Sequence, residues 1–494
     1  MDSPSAFSGP PVRVPSMAPW MWRRFVLAAG IVVLCTAGTV LTVAAVELKR
    51  FQDALGLSPQ LQLGSDITPA TAGAPQTLLL IGSDKRGKGA GLDALSPPHS
   101  DTMLLLRLDP NRPTAMMSVP RDLRVTILPP GRRPTVQKIN AAYAIGGAKL
   151  ATETVTRTLH IPINHVVDTT FGGFRHAVDS IGCVYVDVDR HYFNDVSGAG
   201  GYATINIQPG YQRLCGADAL DYVRFRHTDT DLVRNARQQD FLREARDQIG
   251  IQGLLGERDR LERIFGQYTE TDIRSASDIL HLFDLMAISA GRPIRQVHFR
   301  ATVGLSYVTA TRAQINENVG ELLHGADTTP ATPAPAPAPA HRRGSGSASS
   351  TSLVAASPDE LASAHSAAAQ LPFPLLYPTR RDGSSSTADL LRVYSLPDHD
   401  NHVHAAYRVV VSKGDIGQYY GVEGTDWMHP PILSEPAETR TIAGRTYRLY
   451  WEGQRLRLVA WQGRRAVYWL ENTLEHDLSP RQMLAIARAT APVS

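Results

Sequence analysis

Residues 25–46, FVLAAGIVVLCTAGTVLTVAAV, run for 22 positions without a charge, and this run constrains the rest of the chain. At about 1.5 Å per residue, a helix of that length crosses the roughly 30 Å hydrocarbon layer of a bilayer. Trp20, Trp22, Arg23 and Arg24 precede it, and Lys49 and Arg50 follow it. The paired arginines place the leading end on the cytoplasmic side, although the two later cations reduce the asymmetry. A cleaved signal peptide is the competing reading. Its apolar region is shorter, and no convincing cleavage site stands near Val46. The expectation is a single-pass anchor, with the Pro- and Ser-rich residues 1–24 as a cytoplasmic tail and everything after residue 50 outside the membrane.

That topology bears on the cysteines. Of the three, Cys35 lies within the apolar run, and Cys183 and Cys215 lie far downstream with no CxxC spacing. Outside the cytoplasm two such thiols can oxidise to one another. A Cys183–Cys215 disulfide is therefore expected, with two unpaired buried thiols as the alternative. The net charge of +3 is too small to suggest nucleic acid as a partner, and no DNA- or RNA-binding signature appears.

After a connector, 47–76, come continuous apolar runs: TLLLI (77–81), TMLLLRL (102–108) and TAMMSV (114–119). Runs of this kind suit strands buried on both faces. Helical patterns follow at 140–159, broken by Gly146-Gly147, then at 171–181, 231–249 and 275–289, with strand-like VVDTT and VYVDV between them. Strands with helices between them imply a layered α-β-α domain over 77–325. A Pro-Ala tract and a Gly/Ser-rich stretch make 326–370 a linker. Alternating segments such as HVHAAYRVVVS, TYRLYWEG, RLRLVAW and AVYWLENT, with a final helix near 480–491, imply a small α+β domain over 371–494. Trp451, Trp461 and Trp469 read as core residues of that domain.

The segment 221–239, DYVRFRHTDTDLVRNARQQ, concentrates arginines. Read as a strand, Tyr222–Arg226 sets Arg224 and Arg226 on one face, roughly 7 Å apart, a separation that suits two linked phosphates. The following helix places Arg234, Gln238, Phe241, Leu242, Ala245 and Ile249 on one face, with Arg237 on its edge. Arginines on the face that later becomes core point inward and need an anionic partner. Other polar groups stand at predicted strand ends: Asp84 and Arg86, Arg121, and Lys138 with Asn140. Ligands of α/β sheets bind outside strand carboxyl ends. Asp84 and Asp101 suit a hard cation whose shell substrate phosphates complete.

Several of these segments together resemble the LytR-CpsA-Psr family of membrane-anchored cell-wall glycopolymer ligases. They are LLLIGSDKR (78–86), HSDTMLLLRL (99–108), SVPRDL (118–123), KINAAYAIGG (138–147) and ALDYVRFRHTDTDLVRNARQQ (219–239). The resemblance covers residues 75–250 and leaves out the region after the linker. It implies transfer of a glycopolymer from a polyprenyl-pyrophosphate-type carrier to a peptidoglycan sugar hydroxyl, with a phosphodiester link formed and polyprenyl phosphate released. It implies Mg²⁺ (or Mn²⁺) at Asp84 and Asp101, and an apolar tunnel for the lipid tail. Arg86, Arg121, Arg224, Arg226, Arg237 and Gln238 match groups around the pyrophosphate, and Lys138, Asp231 and Arg234 match positions supporting that pocket. Where many members have Arg-Ser-Asp-Thr, this chain has His99-Ser100-Asp101-Thr102, so His99 stands in for one phosphate contact. Asp101 is the expected acceptor of the hydroxyl proton.

Three other readings compete. A lipid-pyrophosphate phosphatase uses the same groups with water as acceptor. A transcriptional regulator is opposed by the anchor and the missing DNA-binding motif. A non-catalytic wall-binding protein would keep the arginines without the transfer.

Overall fold

The apolar runs form the strands that the sequence predicts, and their ends converge. The computed structural model describes residues 60–71, 73–85, 98–195, 204–225, 229–256, 267–290, 294–325, 353–382, 391–414, 416–434 and 436–493, with Lys49, Asp53, Ile264 and Arg292. The expected membrane span at 25–46 lies outside the described residues; among those described, no helix is long and apolar enough to cross a membrane. Contacts divide the chain into two units, Met1–Asp53 and Ala54–Ser494.

In the second unit the strands begin with β1 (Gln76–Ser83), β2 (Ser100–Leu108), β3 (Ala115–Ser118) and the short hairpin β4 (Arg124–Ile127) and β5 (Thr135–Lys138). Helix α1 (Ala141–Leu159) follows, interrupted at Gly146 and at Gly147, whose φ is 64°. Then come β6 (His165–Thr170), α2 (Phe171–Ser180), β7 (Val184–Val188), β8 (Tyr192–Asn194), β9 (Ile205–Ile207), β10 (Gly210–Leu214), α3 (Gly216–Arg224), α4 (Asp231–Gly256), β11 (Thr269–Thr271), α5 (Ala276–Ala290) and β12 (Arg295–Val297). Six strands make one mixed sheet in the order β11-β6-β1-β2-β3-β12.

The register of that sheet builds the site. β1 and β6 run parallel with Ser83 opposite Thr170, and β2 runs antiparallel with Ser100 opposite Ser83. The carboxyl ends of β1 and β6 and the start of β2 therefore share one edge. β3 is antiparallel to β2, so its exit toward Arg121 reaches the same edge. Leu79, Ile81, Met103, Leu105 and Met117 are at most 1% exposed and pack against Ala151, Val155 and Leu159 of α1 in one apolar cluster. Burial of that cluster, at about 25 cal/mol per Å², holds the edge in place.

Two expectations are corrected. Tyr222–Arg226 is not a strand: Arg224 is the last residue of α3, and Phe225 breaks the helix with φ −54° and ψ 136°. Ala219, Leu220 and Val223 recur at helical spacing and are buried, and the carbonyl of Cys215 accepts the Ala219 N–H at 2.7 Å. Helical burial outweighs the two-residue spacing of the arginines, and a cation on the last turn faces the negative helix end. Cys183 and Cys215 are joined by a disulfide, with Cα atoms 4.5 Å apart.

The second correction concerns the linker, expected to run to residue 370. Secondary structure already begins at Val354. Val354–Ala355 pairs with Arg380–Arg381, and a helix spans Pro358–Ala368. That helix is opened by a capping box, with Ser357 accepting from Glu360 N–H and Glu360 reaching back. Beyond it lies a seven-stranded antiparallel sheet in spatial order 391–397, 403–412, 419–425, 467–471, 455–462, 445–452, 438–442. The helix Pro480–Arg488 packs on it. Trp461 and Trp469 are buried, and Trp451 is half-buried.

This sheet is joined to the antiparallel pair β7–β10 through charges. Arg408, fully buried, meets Asp187 of β7 at 2.5 Å, Glu423 at 3.2 Å and Glu471 at 3.4 Å. The Trp469 indole donates to Asp187 at 2.8 Å, and the Tyr211 N–H donates to Glu423 at 2.7 Å.

Candidate active site

A cavity of about 1070 Å³ opens at the shared strand edge. Asp84, just after β1, lines it with Asp101 of β2 and Asp168 of β6, and Arg121, Lys138 at the end of β5, Arg175 and Arg224 line it as well.

Asp84 is fixed by a reciprocal pair with His99. Its Oδ1 accepts the His99 N–H at 2.5 Å, and its own N–H donates to the His99 carbonyl at 3.1 Å. The His99 side chain lines the cavity. Asp101 Oδ1 accepts from Arg121 at 2.6 Å. Arg121 also stands 3.6 Å from Asp122 and 3.7 Å from Asp231. Burial would lower the pKa of this guanidinium, but Asp101, Asp231 and Asp122 outweigh burial and raise it. Lys138, placed opposite Arg124 by the β4–β5 register, donates to Asp122 at 2.9 Å.

The opposite wall comes from α2 and α3. Thr170 caps α2 by accepting the Gly173 N–H at 3.2 Å. A Cβ on Gly173 would fall 2.7 Å from Tyr268 Cβ, so glycine here lets the Tyr268 segment close on the rim. Arg224 reaches Asp221 at 3.1 Å and lies 6.0 Å from the Phe171 ring. Arg175 lines the same wall, exposed.

Asp168 is a site residue that the sequence reading passes over. It is 3% exposed; Oδ2 accepts the Tyr143 hydroxyl at 2.6 Å, and Oδ1 has no hydrogen-bond partner among the described residues. Burial pushes its pKa up to about 6, against the lowering effect of the nearby Tyr143 and Ser83 hydroxyls. Tyr143 is itself held well above the usual phenol range, by burial first and the Asp168 charge second. The signal was a lone carboxylate inside HVVDTT, since a charge within a buried run must have a reason. Lys85 and Glu270, paired at 2.5 Å on the cavity wall, were passed over too.

The remaining expected residues that the structure describes fall outside the cavity. Arg86 and Arg226 lie outside the described residues. Arg237 is buried and is not a cavity residue. It pairs with Asp229, donates to the Phe225 carbonyl and stands 4.6 Å from the Tyr192 ring centroid. Gln238 donates to the Val223 carbonyl at 3.0 Å. Arg234, 2% exposed, pairs with Asp231, and Asp231 accepts the Asp122 N–H at 3.2 Å. The inward-facing arginines of α4 thus find their anions and carbonyls within the chain. Arg237 and Gln238 hold the two residues flanking Arg224, and so position it without lining the cavity.

Comparison with known proteins bears on these motifs. Residues 50–322 match the LytR_cpsA_psr family. The chain is 31% identical over 182 residues to the polyisoprenyl-teichoic acid–peptidoglycan teichoic acid transferase TagU of Bacillus cereus, covering 36% of this chain and 54% of that one. It is 34% identical over 179 residues to TagV of Bacillus subtilis, a transferase of the same description, covering 36% and 45%. It therefore spans about half the length of the curated relatives it matches. The crystal structure of B. subtilis TagV aligns with a TM-score of 0.41 at 27% identity, over 51% of this chain and 97% of that one. With more than half of its length matched, the chain belongs to the LytR_cpsA_psr family.

Proposed function

We propose that this protein is a phosphotransferase that moves a glycopolymer from a polyprenyl-pyrophosphate-type carrier to a peptidoglycan sugar hydroxyl, working on the outer face of the membrane that its 25–46 span anchors it to. The observation that carries the reading is the cavity: three strand-end carboxylates face Arg121, Arg175 and Arg224 across a space of about 1070 Å³. Such a space admits a phosphoryl-linked sugar, and arginine forks suit its phosphates. The relatives TagU and TagV, described as teichoic acid transferases, support the same class of reaction.

Asp84 and Asp101 fit a Mg²⁺ (or Mn²⁺) ion. Each has one oxygen engaged, by the His99 N–H and by Arg121, and keeps a second with no partner among the described residues. Two carboxylates plus substrate phosphates match the habit of Mg²⁺. When bound, such an ion neutralises charge on the phosphoryl oxygens.

The chain's own residues do the rest. Arg121 and Arg224 hold the pyrophosphate and take up charge as the bridging P–O bond lengthens. The acceptor hydroxyl attacks the phosphorus bonded to the glycopolymer. One P–O bond forms, the bond to the lipid phosphate breaks, and polyprenyl phosphate leaves. The hydroxyl proton passes to a carboxylate. Asp101, the base expected from sequence, is committed to Arg121 at 2.6 Å. Asp168 suits the task better, with an unpartnered oxygen and a raised pKa that keeps it ionised yet more basic than an ordinary carboxylate at neutral pH.

The test is reconstitution of the full chain with Mg²⁺, a lipid-pyrophosphate-linked glycan and peptidoglycan oligomers. Glycan joined to peptidoglycan through a phosphodiester supports the reading. Phosphate release without glycan attachment replaces it with hydrolysis.

A further inference from the structure

Helix α4, which carries the arginine motif, is covered on two sides. Gln238, Phe241 and Ala245 turn toward α3: Gln238 reaches the Val223 carbonyl, and the other two share an apolar cluster with Ala219, Leu220 and Val223. Val233, Ala236, Arg243 and Glu244 lie about 130° further round the helix, and they are buried too. Their cover comes from the C-terminal region. Leu474 forms one apolar cluster with Val233 and Ala236. Arg457 stands 3.4 Å from Glu244, and Arg243 stands 3.7 Å from Glu452.

At the start of α4 the approach is closest. Gly417, between strands 403–412 and 419–425, has φ 77°. A Cβ there would fall 3.1 Å from both γ-carbons of Val233 and 3.3 Å from Asp229 Oδ1, so glycine serves both the left-handed backbone and the contact. Two residues on, the Tyr419 ring centroid is 5.2 Å from the Arg190 guanidinium, and Arg190 pairs with Asp229.

The groups so held lead to the cavity by two short routes. Asp229 pairs with Arg237, which donates to the Phe225 carbonyl beside Arg224. Asp231, two residues before Val233, accepts the Asp122 N–H at 3.2 Å and stands 3.7 Å from Arg121. We propose, on the reading that Arg121 and Arg224 hold the donor pyrophosphate, that Gly417, Tyr419 and Leu474 are positioning residues for transfer. They fix Asp229 and the first turn of α4, and through them both cavity arginines. The C-terminal region is in this sense part of the active site's frame. Displacing such donors by about 1 Å is enough to slow a reaction about 100-fold.

The experiment uses the full chain. Leu474→Ala opens a void beside Val233 and Ala236. The donor KM is expected to rise about 5- to 10-fold and kcat to fall about 10-fold, with the acceptor KM unchanged. Leu474→Met refills the space and restores both to within about twofold. Tyr419→Ala raises the donor KM about 2- to 3-fold, and it carries the test should Leu474→Ala fail to fold. The comparison variant is Met483→Ala, buried in an apolar cluster that includes no residue of α4. It leaves both KM values as in wild type, because a smaller folded fraction lowers apparent kcat alone. Amide hydrogen exchange gives a readout that needs no transfer. Peptides holding Asp122 and residues 231–237 exchange about 10-fold faster in Leu474→Ala and not in Met483→Ala. Wild-type protein that transfers nothing ends the phosphotransferase reading, and exchange then decides the positioning role alone. Exchange and donor KM in Leu474→Ala equal to wild type, or changed equally in Met483→Ala, overturn it.

Discussion

Arg121 and Arg408 each meet three carboxylates, with opposite results. Around Arg121 the partners are Asp101, Asp122 and Asp231, and the side chain keeps 13% of its surface open to a large cavity. Around Arg408 they are Asp187, Glu423 and Glu471, and the guanidinium is 0% exposed. At the cavity, water and an incoming phosphate compete for the same donors, so partners can exchange. At the junction no exchange is possible: indole, amide and phenol groups complete the shell, and burial pushes Glu423 and Glu471 well above the usual carboxylate range. One guanidinium and three carboxylates meet in both. Access separates a group that works on a ligand from one that holds the fold.

Removing each arginine tests that contrast. Arg408→Ala leaves buried carboxylates unpaired, and urea denaturation is expected to show a loss of about 3–5 kcal/mol; a loss under about 1 kcal/mol would mean that the cluster is open to water. Arg224→Ala removes a cavity donor whose pair with Asp221 is partly exposed. Transfer is expected to slow about 10²- to 10³-fold, with stability within about 1 kcal/mol of wild type.

Asp168→Asn separates the two roles within one residue. The folded pKa of about 6 lies above the ordinary value of 3.8, so the stability associated with the neutral carboxyl is present at low pH and is lost as pH rises through 6. Asparagine suffers no such loss. The variant is therefore expected to be more stable than wild type near neutral pH by about 2–3 kcal/mol, converging with it below about pH 4, while transfer falls. Thermal melts across pH beside a transfer assay read both. The smallest effect belongs to Lys138→Gln. Its pair with Asp122 is 40% exposed on the lysine side, so stability should shift by under about 0.5 kcal/mol, and the donor KM should rise roughly a few-fold, as steady-state kinetics would show.

The same contrast explains what the sequence disclosed. Strands β1 to β3 were legible because a run such as Leu78–Ile81 has no polar face to offer water. The pairing of Cys183 with Cys215 was legible because few alternatives existed. The inward face of α4 was legible as well, but its partners were not. Helical spacing shows that Arg234, Arg237 and Gln238 turn inward; it does not show whether a phosphate or the chain's own Asp229, Asp231 and carbonyls await them. The two-residue spacing of Arg224 and Arg226 fits a strand and a helix end equally, and burial of Ala219, Leu220 and Val223 decided it. Asp168 was passed over because a single carboxylate in a strand gives no spacing to read. The Arg408 cluster gathers residues from both halves of the chain, which no local pattern connects.

That last gathering has a consequence in time. Asp187 and Arg408 are 221 positions apart in sequence, and contacts of such separation form late because a long loop must close first. While the chain is being made, the β7–β10 pair exists before its counter-charge does. Asp187 and the Tyr211 amide wait in water until residues near 471 have arrived. The early half therefore reaches its final stability only when the late half docks, and any slowing of that docking lengthens the life of a half-closed intermediate open to proteolysis and aggregation.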